Sequence, residues 1–390
     1  MWYNRNVIRN YRYRIFPTDS QVSLLQKNLD ACRWVYNKAL EVRKSAWDEE
    51  KKSIGLYDTI KMLPKWKIEN PSLKDVHSQI IQQACMRVDF GFKRFFQRVK
   101  AGETPGFPRF RSYSRYDSFT YTQFGFKILE NNRLQLSKIG EIKIKLHRPI
   151  EGKVKTLTIR HNSIGKWYAC FVCEIEPKPL PPTDKVVGID LGLTTFAVFS
   201  DGKKIKRERW MKKDEADINR LQRKKENYPK GSRERSKVIH ALRHAFERVI
   251  ERRKNFLHQE SRKIVDEYQF IALEKLDIAD MKENGSKNIR KGISDVGWGQ
   301  FSQFIAYKAE SAGRGVALVD PRNTSKQCSG CGEIVPKHLR VRIHECPKCG
   351  LKIDRDYNAS LNILARGLAS IGKQSVKVPD LCQESNHASA

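Results

Sequence analysis

Four cysteines near the C-terminal end have the spacing of a metal site. Cys328 and Cys331 form one C-x-x-C pair, and Cys346 and Cys349 form a second. A C-x-x-C-G segment folds as a tight turn that aims both thiolates at one ion, and two such turns supply the tetrahedral four-sulfur shell that zinc prefers. Four sulfurs leave no open position for chemistry, so we predict one structural zinc ion. A redox pair is the weaker alternative, because redox motifs usually consist of one C-x-x-C near a βαβ unit.

Three acidic residues occupy positions that suit a different, catalytic metal site. Asp190 and Glu274 each end an apolar strand, VVGID and FIALE, and a third aspartate stands at the start of the last predicted helix. Carboxylates that meet at one sheet edge repel one another unless divalent cations lie between them. Two Mg²⁺ ions held in this way activate water and stabilise the leaving oxygen in phosphodiester cleavage. The acids therefore predict a two-metal hydrolase.

Asp354 and Asp356 compete for the third position. Side chains two residues apart on a helix point roughly 200° apart, so only one of them can face the cations. Asp354 suits the N-cap of the helix, and we assign the catalytic role to Asp356. The cysteine module immediately before it would then fix the loop that delivers this acid. A purely structural reading of the acids also exists, in which Asp190 is a strand-end turn residue and Glu274 is a surface acid.

The composition indicates a nucleic-acid partner. The chain of 390 residues has 75 Lys and Arg against 44 Asp and Glu, a formal net charge of +31. So large a charge opposes compaction unless a polyanion neutralises it. The hydrophobic fraction of 39% is sufficient for packed cores. The sequence contains no apolar h-region and no run of apolar residues long enough for a membrane span, so we expect a cytoplasmic protein.

The pattern of predicted elements indicates a multidomain α+β protein. A strand at Tyr11 to Ile15 precedes a helix that begins with a Thr18–Gln21 capping box, and a second long helix is predicted from Leu73 to Val99. Dense alternating strands follow and predict a small antiparallel β-barrel into which the helices are inserted. After the proline-rich PKPLPPTDK, the order βββ-α-β-α-β-α is that of a ribonuclease H-like α/β domain with the zinc ribbon inserted before its last helix.

These patterns predict five segments. They are a β-barrel (wedge-like) domain at 1–16 and 104–180, a helical recognition lobe at 17–103, a nuclease domain at 185–325 and 351–372, a zinc ribbon at 326–350 and a mobile tail at 373–390.

Several motifs together resemble the TnpB family of small insertion sequences, which is related to the type V CRISPR nucleases. They include YRYRIFPTDSQ, PGFPRFR, GIDLGLTTFAV, SDVGWGQF, TSKQCSGCG and CPKCGLKIDRDYNASLNI. The resemblance covers nearly everything before about residue 372. In that family the aspartate before x-Asn-Ala is catalytic, which corresponds to Asp356. Asp190 and Glu274 match the other two RuvC-type acids.

The resemblance implies an RNA-guided DNA endonuclease. Its guide RNA would derive from the transposon end, and the protein would read only a short motif beside the double-stranded DNA target. By analogy, the motif reader would lie between the second long helix and the YTQF loop, with Gln82, Gln83, Thr122 and Gln123 contacting base edges. The protein would be cytoplasmic and associated with the nucleoid when on DNA.

Three other functions remain open at the level of sequence. A DDE-type transposase would use the same fold and metals, but no separate end-binding domain is evident. A nuclease-inactive RNA-guided regulator should lack a carboxylate, and none is missing. A zinc-ribbon protein that binds nucleic acid without chemistry would leave the three placed acids unexplained.

Overall fold

The computed structural model describes residues 7–338 and 341–373, which form two compact units. One unit comprises Ile8–Ile175, and the other begins at Glu176. The predicted C-terminal tail lies, apart from its first residue, outside the described residues. Within the two described ranges, no helix is both long and apolar enough to cross a membrane.

The first unit contains four α-helices and an antiparallel sheet. Its strands are β1 (Val7–Phe16), β2 (Ser118–Tyr121), β3 (Phe126–Leu129), β4 (Arg133–Leu136), β5 (Gly140–Lys145), β6 (Lys153–His161) and β7 (Trp167–Ile175). Its helices are α1 (Asp19–Glu50), α2 (Leu56–Lys61), α3 (Leu63–Glu69) and α4 (Ser78–Lys100). The helices stand between β1 and β2 along the chain, as the sequence analysis predicted.

The sheet of the first unit is barrel-like and nearly closed. Its strand order is β2-β6-β7-β1-β5-β4-β3, so β2 and β3 are the two edges. The rings of Tyr121 on β2 and Phe126 on β3 nevertheless lie 6.2 Å apart, which brings these edges together. Phe171 contacts both Phe126 and Tyr13 from inside the sheet. Strict alternation of buried and half-buried residues along β7 supplies one apolar face for this interior.

The long helices of this unit begin differently. Thr18 and Gln21 form the predicted capping box at the start of α1. The predicted helix from Leu73 instead begins at Ser78, after a 3₁₀ turn, and His77 is its N-cap. Apolar residues on both sides of this break are buried. Because the apolar spacing continues through the turn, hydrophobic periodicity alone could not locate the start of α4.

The second unit is a mixed α/β structure. Its strands are β8 (Val186–Leu191), β9 (Thr195–Phe199), β10 (Lys204–Lys206), β11 (Phe270–Glu274), β12 (Gly315–Val319), β13 (Ile343–Glu345) and β14 (Lys352–Asp354). Its helices are α5 (Glu215–Glu226), α6 (Arg233–Glu267), α7 (Ile278–Glu283), α8 (Lys287–Val296), α9 (Trp298–Ala312) and α10 (Arg355–Lys373). The short helices α7 and α8 were not predicted, because their apolar stretches are brief and interrupted by polar residues.

A five-stranded sheet of order β10-β9-β8-β11-β12 forms the centre of this unit. Strands β8, β11 and β12 are parallel, whereas β9 and β10 are antiparallel to their neighbours. One face packs against helices through residues such as Leu257 of α6 and Phe301 of α9. Ile363 of α10 packs with the opposite face. Strands β8 and β11, which carry Asp190 and Glu274, are therefore neighbours in the sheet.

Two glycines allow α10 to lie unusually close to the sheet. A Cβ atom on Gly188 of β8 would lie 2.2 Å from the Ser360 carbonyl oxygen and 2.5 Å from the Leu364 nitrogen. On the helix side, a Cβ atom on Gly367 would lie 2.5 Å from the Ala272 Cβ. No other residue type fits either position without a shift of the backbone. The glycines thus determine how closely the middle of α10 approaches β8 and β11.

Candidate active site

Asp190 and Glu274 are neighbours at one edge of the central sheet. Strands β8 and β11 are parallel, with Ile189 paired with Leu273. The next residue on each strand is the acid, so the two carboxylates come from adjacent positions at the C-terminal ends. Asp190 is half-buried, and Glu274 is only 8% exposed. Both acids therefore lie where the sequence analysis expected them.

The two competing aspartates have different structural roles. Asp354, the last residue of β14, accepts hydrogen bonds from the backbone N–H groups of Asp356 (2.9 Å) and Tyr357 (3.0 Å). It thereby caps the N-terminus of α10, as expected from its position. Asp356 lies in the first turn of the helix. Its charge, like that of Asp354, raises the pKa of Asp190.

The surroundings of Asp190 and Glu274 disfavour their negative charges. Burial, followed by the charges of Glu274 and Asp356, raises the pKa of Asp190 well above its usual value, with partial opposition from Arg355. Burial also raises the pKa of Glu274, against the hydrogen bond from Thr324. A site that penalises its own negative charges in this way is suited to bind cations.

The three carboxylates have different hydrogen-bond partners. Arg355 donates to Oδ1 of Asp356 from Nε at 3.1 Å and from Nη2 at 3.0 Å. The hydroxyl of Thr324 donates to Oε1 of Glu274 at 2.6 Å. No side chain or backbone group of the described residues donates a hydrogen bond to the Asp190 carboxylate. Asp190, the acid without a donor among the described residues, is therefore also the acid whose pKa the charges of Glu274 and Asp356 raise.

The composition of this acidic cluster suits a hard divalent cation. Carboxylate oxygens are ligands that Mg²⁺ prefers. Among the described residues, the three acids do not belong to a group whose ligand atoms all lie within 4.8 Å of one another. The chemistry of these oxygen ligands, rather than their spacing, is therefore what points to Mg²⁺.

The four predicted zinc ligands converge on one point. Cys328 and Cys349 have their sulfur atoms 3.6 Å apart, as do Cys331 and Cys346. All four sulfurs lie within 4.8 Å of one another, close to the edge of about 3.8 Å of a tetrahedron with Zn–S bonds of 2.3 Å. Backbone N–H groups of Cys349 and Lys348 help lower the pKa of Cys346 to about 7. The cluster could hold one metal ion in a closed shell.

Two asparagines that the sequence analysis missed join this cluster to α10. Asn358 is fully buried; its Oδ1 accepts from the backbone N–H of Ser329 (2.9 Å), and its Nδ2 donates to the carbonyl of Gln327 (2.7 Å). Asn362, one helical turn later, donates to the carbonyls of Gln327 (2.7 Å) and Thr324 (2.8 Å). The sequence signal that could have identified them is the spacing of Asn358 and Asn362, two polar residues four apart on an otherwise apolar helix face.

The candidate motif-reading residues lie on α4 and on the loop after β2. Gln82 and Gln123 are exposed, whereas Gln83 and Thr122 are half-buried. Gln79 of α4 joins the two elements, because its Oε1 accepts from the backbone N–H groups of residues 123 (3.4 Å) and 124 (3.3 Å). The structure thus places this helix and loop side by side, and contact with bases remains a prediction.

Three family models match consecutive parts of the chain. Residues 170–285 match one described as "Probable transposase", of the OrfB IS605 type, and residues 298–363 match "Cas12f1-like, TNB domain". Residues 1–52 match a model described as "Helix-turn-helix domain". In the structure, the described part of that last range contains strand β1 and the single helix α1 rather than two helices.

Full-length relatives and a solved structure agree with these matches. A Streptomyces pristinaespiralis protein named "Putative RNA-guided DNA endonuclease" is 34% identical over 374 residues, covering 94% of this chain and 91% of that protein. The Escherichia coli K12 protein named "Putative RNA-guided DNA endonuclease InsQ" is 29% identical over 380 residues, covering 93% of each chain.

The cryo-EM structure of a Cas12f1–sgRNA–target DNA complex has a similar fold. It aligns with a TM-score of 0.58 at 12% identity, over 92% of this chain and 98% of that one. The extent and identity of the full-length matches establish that the chain belongs to the TnpB family of RNA-guided DNA endonucleases.

Proposed function

We propose that this protein is an RNA-guided endonuclease that hydrolyses DNA phosphodiester bonds at a RuvC-type site formed by Asp190, Glu274 and Asp356. The observation that carries the proposal is the adjacency of Asp190 and Glu274 on the paired parallel strands β8 and β11, with the charge of Asp356 acting on Asp190. Burial raises the pKa of both strand acids, and a bound cation would relieve the cost of their negative charges.

The acids would hold Mg²⁺, a hard cation that suits carboxylate oxygens, at two positions. When bound, these ions supply activation of water and stabilisation of the leaving oxygen. Asp190 offers a carboxylate that accepts no hydrogen bond from the part of the chain that the structure describes, and Thr324 would orient the carboxylate of Glu274. Arg342 and Arg355 pair with Asp356 and balance its charge in the absence of a cation.

The cysteine cluster would hold one structural Zn²⁺ ion. All four ligands are sulfur atoms, so no coordination position remains for water or substrate. Strand β14 connects the second cysteine pair to the cap of α10, and the pairing of β13 with β14 continues to Asp354. The zinc ribbon would therefore fix the start of the helix that carries Asp356.

The partners would be a guide RNA from the transposon end and a double-stranded DNA target. The net charge of +31 suits two polyanions. We propose that the barrel and the helical lobe of the first unit grip the guide–target duplex, and that Gln82, Gln83, Thr122 and Gln123 read the short motif. The segments 185–325 and 351–372 would form the nuclease domain around the ribbon at 326–350.

Cleavage of a guide-matched plasmid tests this function. The full chain is purified with its copurifying RNA, the RNA is sequenced, and plasmids with matched and unmatched targets are incubated with Mg²⁺. We expect cleavage of the matched plasmid only. Asp190→Ala, Glu274→Ala and Asp356→Ala should each abolish cleavage and leave guided binding nearly intact, whereas Asp217→Ala, at an exposed acid of α5, should cleave normally.

The same assay discriminates the other functions. Guided binding without cleavage by the unaltered protein would indicate a regulator, and strand joining at transposon ends would indicate a DDE-type transposase. Cleavage that persists in Asp190→Ala or Glu274→Ala would contradict the assignment of the site.

A further inference from the structure

Thr324 is a buried residue next to the candidate active site whose hydroxyl contacts an acid 50 residues away. Thr324 is 3% exposed, and its Oγ1 atom lies 2.6 Å from Oε1 of Glu274. The hydroxyl has a second acceptor within reach, the Pro321 carbonyl at 3.0 Å. It has only one proton to donate, and the bond to a carboxylate is the shorter and stronger of the two.

The backbone of Thr324 is itself held from α10. Its carbonyl accepts a hydrogen bond from Nδ2 of Asn362 at 2.8 Å, and the same nitrogen donates to the carbonyl of Gln327 at 2.7 Å. Gln327 immediately precedes the first zinc-ligand candidate, Cys328. A continuous set of hydrogen bonds thus runs from the cysteine cluster through Asn362 and Thr324 to the Glu274 carboxylate.

We propose that Thr324 is a positioning residue for Glu274, held in place by Asn362 and the zinc ribbon. The inference rests on the proposed function and adds that the ribbon orients the second acid as well as delivering the third. A glutamate has three side-chain torsions, and burial of its carboxylate without a donor is unfavourable. The Thr324 hydroxyl satisfies Oε1 and restricts those torsions, so that the carboxylate meets a cation already oriented. Groups that orient metal ligands in this way typically affect metal affinity or activity by about 10–100-fold.

Three substitutions separate the hydroxyl from the rest of the side chain. Thr324→Val keeps the shape and removes the donor, whereas Thr324→Ser keeps the donor. Ser360→Ala is the matched control, because it removes a buried hydroxyl of α10 that, among the described residues, bonds only the carbonyl of Tyr357 (2.7 Å). Asn362→Ala keeps the hydroxyl of Thr324 and removes its anchor.

The first measurement is the Mg²⁺ concentration that gives half-maximal cleavage of a guide-matched plasmid. We expect Thr324→Val to raise it by about 10–100-fold, Asn362→Ala to raise it less, and Thr324→Ser and Ser360→Ala to leave it near the wild-type value. The second measurement is the rise in melting temperature that Mn²⁺ gives the RNA-free full chain. This rise should be smaller in Thr324→Val, while zinc content remains unchanged. The melting temperature of this variant without Mn²⁺ should fall, because the buried Glu274 carboxylate loses its donor.

Two results would overturn the proposal. One is a Thr324→Val variant with wild-type Mg²⁺ dependence and wild-type stabilisation by Mn²⁺. The other is a Thr324→Ser variant as impaired as Thr324→Val, which would assign the effect to the methyl group and its packing. If Thr324→Val does not fold, unchanged cation dependence in Asn362→Ala contradicts the inference. If the unaltered protein does not cleave, the proposed function fails, and stabilisation by Mn²⁺ still decides the role of Thr324.

Discussion

At the scale of single residues, Asp190 is an acid whose surroundings oppose its negative charge. Asp190 has no hydrogen-bond donor among the described residues, and burial and two neighbouring acids raise its pKa well above 3.8. A carboxylate whose pKa is higher in the folded chain than in the unfolded chain binds protons more tightly when folded. Its ionised form therefore lowers the stability of the folded state.

Asp190→Asn should therefore raise the melting temperature of the RNA-free chain in buffer without added divalent cations. The sign follows from linkage: the penalty is complete above the folded pKa of Asp190, decreases as the pH falls from there, and vanishes below the unfolded value of about 3.8. The gain should thus be largest at pH 7–8 and shrink on acidification. The gain in melting temperature is measured by thermal melts at pH values from the unfolded pKa of about 3.8 up to pH 8. Asp217→Asn, at an exposed acid, is the control. A gain that is independent of pH would contradict the electrostatic account.

At the scale of elements, the site depends on how closely α10 lies against β8 and on what fixes its start. Gly188 and Gly367 permit the close approach. Strand β14 leads from the cysteine cluster into Asp354, which caps the helix. Asp356 follows in the first turn, so a small displacement of the helix moves this acid away from Asp190 and Glu274.

Gly188→Ala should reduce cleavage strongly and lower stability by about 1–3 kcal/mol, the usual cost of overpacking. The added methyl group would lie 2.2 Å from the Ser360 carbonyl oxygen, which is backbone and cannot rotate aside. Denaturant melts and plasmid cleavage measure both effects. Gly106→Ala is the control, because its Cβ would meet nothing within 4 Å. Normal cleavage by Gly188→Ala would mean that the helix position matters less than we infer.

Loss of the metal from the ribbon should affect the same helix. We expect about one equivalent of zinc in the purified protein. Cys328→Ser or Cys349→Ser should reduce the zinc content and also impair folding of the C-terminal region, because the free energy of metal binding contributes to the free energy of folding. Metal analysis and limited proteolysis provide the test. Absence of any bound metal from the intact protein would disprove the ribbon assignment, whereas iron or another metal at equal occupancy would change only the identity of the ion.

At the scale of the whole molecule, charge is the dominant property. The chain has a formal net charge of +31, and its basic residues include many on exposed helix positions, such as Lys93 and Lys224. Self-repulsion of this size is relieved when a polyanion binds. Binding of nucleic acid should therefore contribute to folding stability as well as to function.

The native guide RNA should raise the melting temperature more than a length-matched unrelated RNA does. Release of counterions makes the logarithm of the binding constant fall linearly with the logarithm of the salt concentration, and any ligand of the folded state stabilises it. Melting curves at low and raised salt measure the stabilisation by each RNA and its dependence on salt concentration. Equal stabilisation by the two RNAs would indicate generic charge neutralisation. A preference for the native RNA that persists at raised salt would indicate a shaped binding site.

Local patterns in the sequence determined most of the elements and the candidate ligands. Each of these features depends on residues close in sequence or on the apolar pattern of one strand. They are the cysteine pairs, the strand ends at Asp190 and Glu274, and the capping box at Thr18. Helix geometry alone also separated Asp354 from Asp356, and the structure confirms the cap. Apolar periodicity did not locate the start of α4, because its apolar spacing continues through the preceding turn.

Tertiary structure decided the contacts of the buried polar residues. In the sequence, Thr324 and Asn362 are ordinary polar side chains near a cysteine pair and on a helix. Only folding places Thr324 beside Glu274 and brings Asn362 against the backbone that precedes Cys328. A polar group acquires a specific role when burial removes water as its alternative partner. Which groups are buried together depends on long-range packing that local sequence does not contain.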